Sequence, residues 1–279
     1  MSSSSLPSAP SLPPARTAER GPWSMPVLLG LVRAEARKTV STSAWWALLI
    51  PAGLLGLLVT LIMAAGSGLE FSPSFAQMIA LDFFSAKFAV VFGAVCATGE
   101  YRHRTITTSY LTASGRAQLV LAKAVVAAVV GAGYGVVCAA CGVLGMVLGG
   151  GDISGGTGAV LRLSAMAVLV FALWAVLGVG VGMLISNQLA TIVLVLVYLM
   201  LAEKMVVNLV ALGDLGHIDD FVPGGAATAT LNQLADDGLL GGTLTISTSP
   251  WWVTLLVFAG YAVLALLAGT AVAQRRDVT

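Results

Sequence analysis

The chain has 279 residues, 58% of them hydrophobic and 10% charged, and its mean hydropathy is +0.94. Those proportions exclude a water-soluble globule and describe an integral membrane protein. The net charge of +1 gives no sign of a nucleic-acid partner, because the basic residues cluster where membrane topology needs them.

Residues 1–26 hold six of the ten prolines and a run of serines. No apolar core of a signal peptide is present there, and the composition predicts a disordered cytoplasmic tail. From Pro26 the sequence VLLGLVRAEARKTVSTS places Val27, Leu28, Leu31 and Val32 on one broad face and Arg33 and Arg37 on another. That pattern predicts a short helix along the inner membrane surface. Glu35 and Lys38 interrupt its apolar face, at a spacing that allows a weak mutual pairing.

Residues 27–279 then read as one all-α transmembrane domain. A hydrocarbon core of roughly 30 Å takes about 20 helical residues to cross. Apolar runs of that order fall near 44–65, 76–98, 118–148, 160–184, 189–212 and 251–273, predicting six spans. The runs are continuously apolar, which excludes the alternating strands of a membrane barrel. Trp45 and Trp46 mark one membrane interface, and Trp251 and Trp252 the other.

Orientation follows from lysine and arginine, which resist translocation when they flank a span. Arg33, Arg37 and Lys38 precede the first span, Arg102, Arg104, Arg116 and Lys123 lie between the second and third, and Arg275 and Arg276 follow the sixth. The opposite side carries Arg162 against Glu70, Asp152, Asp214, Asp219, Asp220, Asp236 and Asp237. The chain is thus expected to be a multi-pass protein of the cell membrane with both termini cytoplasmic.

Between the second and third spans, GEYRHRTITTSYLTASGRAQLVLAK (Gly99 to Lys123) is a basic, hydroxyl-rich link at which a soluble machine could grip the protein. Gly99 is suited to end the second span, and Thr105 to Ser109 to begin a short interfacial helix. The arginines of this link have two readings: contact with lipid phosphates, or pairing with carboxylates on a partner.

Within the spans, Asp82, Lys87, Glu203 and Lys204 need partners or water, since an unpaired ion near mid-bilayer costs at least about 2.5–3.5 kcal/mol. All four fall in the outer half, so opposite charges on the second and fifth spans are placed to pair. Such pairs either line or close the outer part of a translocation path, or form an inert ionic clip. Cys138 and Cys141 share one face of the third span and read as small apolar residues at a packing seam. Gly131 with Gly135, Gly145 with Gly149, and Gly178 with Gly182 have the spacing that lets helices approach closely. The external segment from Gly213 to Ser249 suggests a re-entrant or short-helix lid, or a plain connector.

The phosphate-cradling loop GxxxxGK[ST] is absent: Lys38, Lys87, Lys123 and Lys204 follow Arg37, Ala86, Ala122 and Glu203. His103 and His217 lie in loops, which leaves no histidine within the spans for intramembrane hydrolysis, and no metal-ligand spacing is recognisable. A transporter or channel remains. It could run alone as a secondary transporter on an ion gradient, using the intramembrane charges.

Four pieces in order carry a resemblance covering most of the chain from Leu31 onward. They are Ala34-Glu35-Ala36-Arg37-Lys38 with Trp45, Gly99-Glu100-Tyr101-Arg102-His103 followed by Thr105-Ile106, Arg116 with Lys123, and Val222-Pro223-Gly224-Gly225-Ala226. In these the chain resembles membrane-spanning permease subunits of ABC transporters of the type 2 exporter class. It departs from them at Arg104, where glycine is frequent, and at Ser114-Gly115, where a proline often precedes the arginine. The resemblance implies a homodimer or heterodimer of permease subunits, docked on separate cytoplasmic ABC ATPases that bind ATP and magnesium, with no cofactor in this chain. It further implies export by alternating access, with Gly99, Glu100, Tyr101, Arg102, Arg104, Thr105, Ile106, Arg116 and Lys123 coupling to the ATPase.

Overall fold

The computed structural model describes residues 25–66, 76, 79–102, 115–151, 157–212, 218–234 and 249–275. Helix α1, Met25–Ser41, is followed by α2, Ala44–Gly66. A π-helical segment, Ile79–Ser85, leads into α3, Ala86–Arg102. Next come α4, Arg116–Leu148, and α5, Thr157–Ile185. Helix α6, Gln188–Val197, passes through a π-helical turn, Tyr198–Ala202, into α7, Glu203–Leu212. A short helix α8, Pro223–Asn232, precedes the long α9, Trp251–Arg275. Six helical stretches are long and apolar enough to span a membrane: Ala44–Gly66, Ile79–Arg102, Arg116–Leu148, Thr157–Ile185, Gln188–Val210 and Trp251–Arg275. Among the described residues there is no strand.

Helix α5 is the hub, packing along α3, α4 and α9. Between apolar helices in lipid the hydrophobic effect offers little, so close backbone approach has to supply the attraction. Glycine makes that approach possible here. A Cβ on Gly131 of α4 would stand 2.6 Å from the Phe171 carbonyl oxygen of α5, and one on Gly135 would stand 2.7 Å from Val168 Cα. Gly182 of α5 faces Ala97 of α3 in the same way at 2.8 Å, and Gly269 of α9 faces the Gly180 carbonyl oxygen at 2.6 Å. A Cβ on Gly149, the residue that caps α4, would stand 2.7 Å from Ala64 of α2, so the third span is held on two sides. Trp174 and Phe258 fill the hub, their rings 4.7 Å apart.

The cysteines in α4 belong to the same seam: Cys141 Sγ lies against Gly53 of α2 and the Cys138 carbonyl against Gly56. The spans formed by α2, α6–α7 and α9 turn most of their apolar surface outward, with 22%, 22% and 17% of their most apolar windows buried, against 60% for Ile79–Arg102.

One sequence expectation needs correction at this level. The second span does not end at Gly99: the helix runs through it to Arg102, and a Cβ there would meet nothing within 4 Å. On α1 the buried residues are Glu35 and Thr39, so the acid that interrupts the apolar face is turned inward. The lid segment does contain a short helix, α8, whose residues Gly225 to Ala227 and Ala229 to Leu231 are buried. Thr230 shares a 2.9 Å hydroxyl contact with Thr254 of α9, Tyr261 donates to the Phe221 carbonyl at 2.8 Å, and Asp220 accepts from Ser249 N at 3.1 Å. The first ties α8 to α9, and the other two tie the turn ahead of α8 to the middle of α9 and to the residues that lead into it.

Candidate functional site

Glu35 sits one turn past Leu31 and Val32 on α1, which turns it toward the bundle. Because α3 continues helically past Gly99, Glu100 is brought to the same place. Lys123, two turns into α4, is 1% exposed and reaches them from a third helix. Its Nζ stands 2.6 Å from Glu35 Oε2 and 3.1 Å from Glu100 Oε1. Lys38 Nζ closes the ring, 2.7 Å from Glu35 Oε1 and 2.8 Å from Glu100 Oε1. Each lysine therefore bridges both carboxylates, and the four charges cancel.

Lys38 is half-exposed at the rim. Burial alone opposes its charge, but the hydrogen bonds to Glu100 and Glu35 and the field of both carboxylates hold its pKa above the ordinary lysine value of 10.5. It keeps its positive charge throughout the physiological range. Lys123 and Glu35 lie deeper, where one charge without the others would be costly. The quartet thus fastens the surface helix to the two span ends that flank the basic link.

The remaining residues of the link have distinct positions. Tyr101 is half-buried against the core, and exposed Arg102 donates from Nη1 to Gln188 Oε1 at 3.3 Å. Arg116 caps the last helix, donating to the Ala273 and Gln274 carbonyls at 3.0 and 3.1 Å. A cation there complements the electronegative C-terminus of α9. Arg37 is exposed on α1. Arg104, Thr105 and Ile106 lie outside the described residues, as do Thr105 to Ser109 as a group.

Glu203 is 2% exposed, and its carboxylate accepts from two backbone amides, Gly224 N at 3.0 Å and Gly225 N at 2.7 Å. It satisfies the first turn of α8, where Pro223 has no N–H to offer and a carboxylate is favoured by the helix dipole. A Cβ on Gly224 would press on the Glu203 carboxylate, the movable end of that side chain, which would have to shift. Lys87 on the second span and the adjacent Lys204 are the cations whose charges reach Glu203. Lys204 itself is exposed. The backbone of Asp82 lies in the π-helical segment Ile79–Ser85, and its side chain lies outside what is described. Both π-helical turns adjoin an intramembrane acid, Asp82 inside one and Glu203 directly after the other. Such bulges recur at functional positions in helices.

A wholly apolar cavity of about 260 Å³ lies between α5, α6 and α9, with Trp174, Tyr198, Tyr261 and, at the α8 end, Pro223 on its walls.

Sequence reasoning found the residues of the quartet but not their closure into one ring. Its local signal was the three-residue spacing of Glu35 and Lys38; Glu100 and Lys123 are 62 and 85 positions from Lys38 along the chain, beyond any periodicity. The capping role of Arg116 and the partnership of Glu203 with Gly224 and Gly225 were equally non-local.

The model of one protein family, described as ABC-2 family transporter protein, matches residues 31–202. A search of curated proteins found no match. The matched stretch includes all four members of the quartet and ends one residue before Glu203.

Proposed function

Because this chain belongs to the ABC-2 family of transporter proteins, we propose that it is the permease subunit of an ATP-driven exporter, powered by a separate cytoplasmic ABC ATPase and working by alternating access. The basic end and both termini face the cytoplasm in this reading. A second permease subunit, identical or related, completes the pathway, and ATP and magnesium are held by the partner ATPase. The link between the second and third spans is the ATPase's handle, with Tyr101 and Arg102 at its accessible edge.

The observation that carries the proposal is the quartet. A push on the link or on α1 is transmitted to Glu100 and Lys123, and so to the ends of the second and third spans, because all three helices share one set of ionic contacts. Glu203 and the N-terminus of α8 close the outer part of the path, with Lys87 and Lys204 as the nearby cations. A stand-alone secondary transporter or channel would need those charges open to a conducting path. Glu203 is instead engaged by two backbone amides, which favours the ATP-driven reading.

The test is the ATPase rate of the complex reconstituted in vesicles. A coupling free energy of about 1–3 kcal/mol corresponds to a 5–150-fold effect. Glu100→Gln and Lys123→Gln should each lower permease-dependent stimulation of ATP hydrolysis within that range while the ATPase stays bound. Stimulation equal to that of the unaltered complex refutes the assignment.

A further inference from the structure

At the basic end, beside the quartet but separate from it, a cleft of about 540 Å³ opens between the end of α3 and the turn joining α5 to α6. Tyr101, Arg102, Ser186, Gln188, Leu189 and Ile192 line it. The turn is tight and fixed. Ser186 adopts φ 58°, a left-handed conformation uncommon for a residue with a side chain. It is held there because Ser186 N donates to the Gly182 carbonyl at 2.9 Å and Asn187 Oδ1 accepts from Ala190 N at 3.1 Å. Backbone strain of this kind tends to persist where a particular presentation of side chains is needed.

The cleft presents two chemistries in order. At its mouth stands the Arg102 guanidinium, exposed and steadied by Gln188 Oε1. Among the described residues no carboxylate forms an ion pair with Arg102, whereas Lys38 and Lys123 are neutralised by Glu35 and Glu100, and Arg116 is engaged by carbonyls. Beyond Arg102 come Leu189, 73% exposed, and Ile192, on a helix that continues into the membrane. A cation with forked N–H donors, followed by an open apolar strip, matches a phosphate with a hydrocarbon tail.

We propose that this cleft binds an anionic phospholipid, its phosphate on Arg102 and one acyl chain along Leu189 and Ile192. Such a lipid wedges the end of the second span against the turn between the fourth and fifth. The cleft shares Tyr101 and Arg102 with the edge of the ATPase's handle, but lipid retention by the purified chain is read without any ATPase, so failure of this site and failure of the coupling reading are distinguishable.

Native mass spectrometry of the purified full chain, titrated with phosphatidylglycerol or with phosphatidylcholine of the same acyl chains, tests it. The unaltered protein should retain phosphatidylglycerol at a concentration roughly tenfold lower, the effect of one charge-assisted contact. Arg102→Gln should abolish that preference and Arg102→Lys restore part of it, while Arg33→Gln, on the exposed side of α1, should leave it intact. Inorganic phosphate at millimolar concentration should not displace the lipid; displacement would assign the cleft to a free anion and overturn the proposal. Equal retention of the two lipids, or equal loss on Arg33→Gln, would also overturn it, reducing the effect to general attraction by a basic surface.

Discussion

Lys123 is a lysine within the first two turns of a membrane-spanning helix, and only its neighbours make that tolerable. Removing one partner of a buried ion pair costs about 3–5 kcal/mol, because it strands the other charge. Lys123→Gln should therefore lower the melting temperature in detergent sharply, as should Glu35→Gln. The two together should cost less than the sum, with a coupling energy of about 0.5–3 kcal/mol, since the groups touch. A double-mutant cycle of thermal unfolding checks this, and strict additivity would show that the 2.6 Å contact contributes nothing specific. Glycine gives a second contrast at this scale. Gly131→Ala, whose methyl would press on the Phe171 carbonyl, should destabilise by roughly 1–3 kcal/mol. Gly133→Ala, with nothing within 4 Å, should be neutral or stabilise by up to about 1 kcal/mol through helix propensity. The difference between the two melting temperatures reads out whether helix approach or helix propensity governs this span.

At the scale of the element, hydropathy alone placed the six spans to within a few residues, because hydrocarbon thickness leaves little freedom over where an apolar run begins and ends. Gly99 escaped that logic. Local preference ends a helix at glycine, yet Glu100 has to remain on the helical path to meet Lys38 and Lys123, and the tertiary contact wins. On α1, Glu35 interrupts the apolar face in the sequence, and the partner that turns it inward, Lys123, lies 88 residues away. Around α8, the Val222-Pro223-Gly224-Gly225 stretch was visible as a pattern, but its reason, a carboxylate arriving from the fifth span, was not. Glu203→Ala should leave two amides without their acceptor, at roughly 1–3 kcal/mol, and loosen α8. With the native cysteines replaced, maleimide labelling of Ala227→Cys, at a buried position of α8, should be slow in the parent and markedly faster with Glu203→Ala. Equal rates would mean that α8 is held by its bonds to α9 alone.

Over the whole molecule, the described spans form a bundle wound around α5, with the close contacts on α3, α4 and α9 and the apolar outer faces on α2, α6–α7 and α9. Two polar fastenings stand toward its opposite ends: the ionic quartet at the basic end, and Glu203 on α8 toward the other. A protein that must expose its path to one side and then the other has reason to keep such fastenings discrete, since packed interfaces switch between arrangements rather than deform smoothly. In this account the force that moves the first fastening comes from outside the chain. Purification of the tagged protein from its native membranes in mild detergent, with mass spectrometry of what is retained, tests that most directly. The account predicts a cytoplasmic protein bearing the phosphate-cradling GxxxxGK[ST] loop in near-equal amount, and its loss when Tyr101 and Arg102 are both replaced by alanine. Recovery of the chain with no such ATPase, or with one retained regardless of those substitutions, would contradict it.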